Sequence, residues 1–290
     1  MLDIKNINQV TRAHGVKIAL YGDSGIGKTV LATTCRNPLL VSSEKGTTSI
    51  NQKVLSYYPN DEIVAHNVQN MAVLEIENVA NNGTLTEEQI SAPIKKLVEL
   101  LNFLKTDNTF ETVIFDSFTE IAEILLAIYV TQVKDNRKAY VTLNEKLNNF
   151  IKACLDLPQN IVFICQLNEA TDENGNVSKI RPSLPGKRLL EKLPYMVDEV
   201  LLYKYITDAQ GNRSRALVTT LDNDFSNFIA KDRCGNLDVY EYPHLQNIIN
   251  KIYRITLVAK TIRFAKLTRF ITACLNGKVF SYNNAVSVTV

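Results

Sequence analysis

Eight consecutive residues have the types and spacing to hold a polyphosphate: Gly22, Asp23, Ser24, Gly25, Ile26, Gly27, Lys28 and Thr29. They fit the pattern GxxxxGK(S/T) without a mismatch. Glycines leave room for the backbone to fold around a phosphate with its N–H groups turned inward. The run lies between the apolar stretch Val16–Tyr21 and Val30–Cys35, which continues as a helix until Asn37-Pro38 stops it. Strand, loop and helix are the context this pattern needs, because the helix N-terminus adds its positive end to the anion site. Lys28 would then reach the β- and γ-phosphates, and the Thr29 hydroxyl would bind magnesium. The ligand implied is ATP, with Mg2+ beside it.

Magnesium needs a second anchor. Asp116 ends the apolar strand Phe110–Asp116, a position from which a carboxylate reaches a cation at the phosphate loop. A strand-end aspartate that caps the next helix is the competing reading. Position 117 is serine, so no glutamate directly follows Asp116 to activate water. The base must come from elsewhere. Glu44 closes the strand Pro38–Glu44, and adjacent parallel strands would put it on the same sheet edge as Asp116. Glu120, one turn into the following helix, is the alternative.

The remaining pattern supplies the frame. Ile63–His66 is a weak strand candidate, and Thr86-Glu-Glu-Gln89 starts a helix carried by Leu97, Leu100, Leu101 and Leu104. Helices follow from Thr119 to Val130 and through Leu143, Leu147 and Ile151, joined by the basic connector Lys134–Tyr140. Asn160–Gln166 is a strand that ends in glutamine, followed by a long loop reaching Pro185. A short helix at 186–193, an antiparallel pair over 197–220, a late strand Phe228–Arg233 and a helix Leu245–Ile252 complete the reading. This alternation predicts an α/β fold with a mostly parallel central sheet, helices on both faces and an antiparallel extension at one edge.

Composition narrows the class. A chain of 290 residues with 46% hydrophobic and 21% charged content is that of a soluble globular protein. No apolar run is long enough to cross a bilayer, and the start of the chain has no signal-type segment. Five scattered cysteines show no metal-ligand spacing, and an odd number without an export signal points to reduced thiols in a cytoplasm. The charge is uneven. Residues 251–290 carry Lys251, Arg254, Lys260, Arg263, Lys266, Arg269 and Lys278 with no acid, against an acidic body. We divide the chain into a core, 1–252, and a basic tail, 253–290, suited to an anionic partner such as nucleic acid.

Glu44 after the second strand, Asp116-Ser117 and the strand ending in Gln166 together resemble the RecA-type ATPase core. Ala230-Lys-Asp-Arg-Cys-Gly235 is similar to the Lys-x-Arg-x-Gly element of RadA and replicative helicases. With its modest size, the chain resembles phage-encoded RecA-like nucleotide-binding proteins linked to single-strand annealing and recombination. The resemblance implies a RecA-like P-loop NTPase fold and a DNA-stimulated ATPase at work in the cytoplasm of a bacterial host. It gives Gln166 the role of γ-phosphate sensor, and Lys231 and Arg233 that of charge stabilisers supplied to a neighbouring subunit. Homo-oligomers, as rings or filaments, follow, with single-stranded DNA and a single-strand-binding protein as partners and no membrane. Two segments could hold the DNA. One is the 134–140 connector with Arg137 and Lys138; the other is the loop after Gln166, with Lys179 and Arg181. Plainer readings remain: Gln166 as the polar end of a buried strand, and Lys231 and Arg233 as a solvated edge. Rival functions are a nucleotide-gated scaffold with negligible turnover and a small-molecule kinase, although no arginine-rich lid is apparent.

Overall fold

The computed structural model describes residues 15–253 except 78–85, 174, 176, 208–209 and 222–226. The N-terminal lead-in and the basic tail after Tyr253 lie outside the described residues. The apolar stretch after Gly15 forms β1 (Lys17–Gly22), buried along its whole length. So are β2 (Pro38–Ser42) and β4 (Thr112–Asp116). Strands buried on both sides belong in the middle of a parallel sheet covered on two faces. Six strands run parallel in the order β3-β2-β4-β5-β1-β7, where β3 is Ala72–Glu75, β5 Asn160–Thr171 and β7 Glu199–Thr207. Beyond β7, β8 (Arg213–Val218) and β10 (Tyr240–Glu241) pair antiparallel. The fold expectation therefore holds.

Alternate residues of each strand face opposite cores. Ala19, Tyr21, Val113, Phe115, Ile161 and Phe163 pack against α3 (Glu87–Thr106), α4 (Phe118–Gln132), α5 (Asn136–Leu155) and α6 (Lys187–Met196). Ile18, Leu20, Ile114, Val162 and Ile164 face α1 (Lys28–Ala32) and the helical residues 245–253. Full burial of side chains of this size stabilises by about 1.5–3 kcal/mol each, so the two apolar layers hold the strand ends that carry the polar residues. Among the described residues no helix is long and apolar enough to cross a membrane. Cys35, Cys154, Cys165 and Cys234 are free thiols.

Most helix starts are written locally. Thr86 and Gln89 form the reciprocal capping box of α3, and Ser117 and Asp135 cap α4 and α5. Four expectations are corrected. Ile63–His66 is not a strand but part of α2 (Glu62–Asn70): Asp61 caps the Val64 N–H, and Val64 and Asn67 turn inward at helical spacing. The 134–140 connector is mostly the first turns of α5, since the Asp135 cap starts the helix at Asn136. The strand ending at Gln166 instead continues to Thr171. It pairs with β6 (Val177–Pro182), so the supposed long loop is a hairpin. The late strand shortens to β9 (Lys231–Asp232), with Phe228 making only an isolated bridge to Ile180.

Candidate nucleotide site

The parallel strands end together, and the phosphate loop lies at that edge. Gly25 and Gly27 have φ of 75° and 107°, left-handed values that a side chain would strain. Gly22 packs so tightly that a Cβ there would meet the Tyr203 carbonyl oxygen at 2.3 Å. The loop is thereby pinned to β7 before α1 begins. Lys28 donates from Nζ to the carbonyls of Gly22 (2.7 Å) and Asp23 (2.8 Å). Burial lowers its pKa, while Asp116, Glu44 and Asp23 pull the other way and favour the charged form.

Asp116 does not stand on the strand next to the loop. β5 lies between β1 and β4, and Gln166 is the residue level with Gly22. Asp116 is nearly buried, and desolvation pushes its carboxyl up to about 6, with Glu44 adding to the rise. The Thr29 hydroxyl and Lys28 oppose that shift. A hydroxyl and a desolvated carboxylate facing one cavity are hard oxygen donors that suit magnesium, which keeps several waters and takes few protein ligands. Thr29 and Asp116 fit that ion.

Glu44 reaches the same place by register. β2 pairs with β4 so that Ser42 lies beside Asp116, and the chain turns just beyond. Ser43 fixes the turn: its hydroxyl donates to the Ser117 carbonyl at 3.0 Å and accepts from the Ser117 N–H at 3.2 Å. The Glu44 carboxylate accepts from the Ser117 hydroxyl at 2.6 Å and from Gln166 Nε2 at 3.4 Å. Gln166 is held by its backbone, with its N–H on Thr119 Oγ1 and its carbonyl accepting from Ser183.

A cavity of about 900 Å3 joins these groups. Gly22, Lys28, Thr29, Glu44, Asp116, Ser117 and Gln166 line it, together with Tyr57 and Arg215. Glu120 does not. Asp23, Ser24, Gly25 and Gly27 form its loop wall, whereas Ile26 is buried in the apolar layer beside α1.

Ser117, Tyr57 and Arg215 were not singled out as site residues in the sequence. Ser117 was legible as a missing glutamate and as the partner of Asp116 in a motif, with no role of its own. The structure makes it the α4 cap and the hydroxyl that positions Glu44. Ser117→Ala is expected to slow any Glu44-dependent turnover by about tenfold, the worth of one charge-assisted hydrogen bond. It should also cost about 1 kcal/mol of stability through the lost cap. Steady-state phosphate release and a melting curve on the same sample check both.

The other singled-out residues lie away from the cavity. β9 pairs with the start of β7, at Glu199 and Val200, the end opposite the phosphate loop. There Lys231 Nζ donates to the Pro194 and Val197 carbonyls, and Arg233 pairs with Asp198 at 2.8 Å. Arg137 and Lys138 are exposed on the first turn of α5. Lys179 and Arg181 lie on β6, opposite Ala170 and Asn168 of the strand that carries Gln166.

Comparison with known proteins adds three findings. No curated protein matches the chain. A solved KaiC-like protein from the hyperthermophilic archaeon Pyrococcus horikoshii is similar, with a TM-score of 0.40 and 11% sequence identity. The match covers 74% of this chain and 83% of that one. A family model described as an AAA domain matches residues 14–234. That span runs from just before β1 to just past β9 and includes the phosphate loop, Glu44, Asp116 and Gln166, and the chain belongs to this family of P-loop ATPase domains.

Proposed function

We propose that the chain is a magnesium-dependent ATPase whose turnover is coupled to single-stranded DNA. The observation that carries the reading is the Glu44 carboxylate, held by Ser117 and Gln166 at the sheet edge that also bears the phosphate loop and Asp116. Lys28 would exchange its loop carbonyls for β- and γ-phosphate oxygens, and Thr29 and Asp116 would hold magnesium. The ion, when bound, offsets charge on the phosphates. Glu44 accepts the proton of the attacking water, a role worth about 10²–10⁴-fold. Ser117 and Gln166 keep its carboxylate aimed, and the Tyr57 ring lines the same cavity as a face for the base.

The link to DNA is mechanical. Gln166 lies on β5, whose outer half pairs with β6, so a shift of Gln166 on contact with a γ-phosphate passes across the hairpin to the exposed Lys179 and its neighbour Arg181. Cationic side chains on an exposed hairpin suit a phosphate backbone. We propose that the process served is recombination or annealing of the phage type. The proposed head-to-tail ring or filament must bring Lys231 and Arg233, at the far end of β7, over a neighbour's cavity. Phosphate release measured with and without single-stranded oligonucleotide tests the coupling. The expected result is faster turnover with DNA and a steep loss of that gain as salt rises. Basal turnover that no single strand alters would leave an ATPase without the DNA role.

A further inference from the structure

The β7–β8 hairpin brings an arginine over the phosphate loop, and register determines which. Tyr203 lies beside Gly22 in the parallel β1–β7 pair. Two residues on, Tyr205 has passed the end of β1, and its direct cross-strand partner is Arg215. Arg215 therefore projects past the sheet edge on the side where α1 begins. Its NH1 lies 3.7 Å from where a Cβ on Gly27 would stand, next to the Tyr203 hydroxyl at 3.8 Å from the same point.

The surroundings of this guanidinium are aromatic. Its Nε donates to the Tyr205 hydroxyl at 3.1 Å, and its centre lies 5.4 Å from the Tyr57 ring and 5.5 Å from the Tyr205 ring. Among the described residues no carboxylate pairs with it. A permanent cation stacked on tyrosines, at the lip of an anion-binding loop and without an anion of its own, is short of a partner. Arg215 also lies on the boundary between the phosphate cavity and a second cavity of about 390 Å3 lined by Tyr57, Tyr58, Tyr203 and Tyr242.

We propose that Arg215 is a phosphate ligand supplied by the same subunit, its guanidinium bonding the polyphosphate of the nucleotide held by the loop. The assignment rests on the reading of Gly22–Thr29 as a triphosphate site. Its planar donor fork matches phosphate oxygens, and the tyrosines hold the group near its working position. The aromatic neighbours offer an alternative, a role for Arg215 on the base, and the test separates the two.

Wild type, Arg215→Ala, Arg215→Lys and Arg215→Gln are compared by displacement of a fluorescent ATP analogue, using ATP and inorganic tripolyphosphate, which has no base. Arg215→Ala is expected to weaken both competitors by the same factor, about 10–100-fold, as loss of a charge-assisted hydrogen bond implies. Arg215→Lys should recover part of the loss. Arg215→Gln keeps a donor for Tyr205 but no charge, and should behave like alanine even if the alanine variant folds poorly. Unchanged affinity for both competitors overturns the proposal. So does a loss confined to ATP, which would assign Arg215 to the base, and so does tripolyphosphate that fails to compete with wild type. Lys28→Ala, measured in parallel, reports on the phosphate loop alone, so failure of that underlying reading shows there independently.

Discussion

Lys28→Ala should lower ATP affinity by at least about 100-fold while leaving the fold intact. The lysine is the one side chain that projects from the loop's last turn toward both the loop carbonyls and the Asp116–Glu44 pair. Its removal takes away charge-assisted bonds to two phosphates, each worth about 1.5–3 kcal/mol. Folding should tolerate the change. Lys28 forms no ion pair at salt-bridge distance among the described residues, and the bond to the Asp23 carbonyl is exposed, so water replaces it. Calorimetric titration with ATP and a melting curve make the check. Wild-type affinity in a folded variant would remove the nucleotide site from this loop.

Glu44→Gln separates binding from chemistry. Glutamine keeps the shape of the side chain and an oxygen to accept from Ser117, so the 2.6 Å contact has a substitute. What it lacks is basicity. ATP and magnesium should bind as before, while hydrolysis falls by about 10²–10⁴-fold. The contrast with Lys28→Ala is diagnostic, because one variant fails to bind and the other binds without turning over. Near wild-type phosphate release from Glu44→Gln would mean that the carboxylate at this edge is not the base. Glu120 offers no replacement from the cavity wall, so water activation would then depend on no side chain identified here.

Much of this site was legible because it depends on local pattern. The loop spacing and the apolar runs around it specify strand, turn and helix without long-range information. Glu44 and Asp116 were reachable by one further step, since both end strands of a parallel sheet and such ends share an edge. The step held, since β2 pairs with β4; the insertion of β5 between β1 and β4 was not legible, because nothing in a strand's own residues says which strand will be its neighbour. Gln166 was singled out, but the length of its strand was not legible. The polar run after it reads as loop, and only pairing with β6 makes Leu167–Thr171 extended. Ile63–His66 misled because a short β-branched run suits a strand, whereas the Asp61 cap and the inward Asn67 select a helix. Arg215 was invisible for a deeper reason. Its place above Gly27 is set by two registers in succession, β1 with β7 and β7 with β8, and a single sequence encodes neither locally.

The central claim is that Glu44, Ser117, Gln166, Asp116 and the phosphate loop form one hydrolytic site in this chain. A single-turnover experiment tests it most directly. ATP is bound to excess purified protein without a divalent ion, magnesium is added, and the nucleotide is recovered and separated at successive times. The account predicts that the bound ATP converts to ADP and phosphate in step, on addition of magnesium and not before. Recovery of intact ATP, bound and unhydrolysed after magnesium has been added, would contradict it.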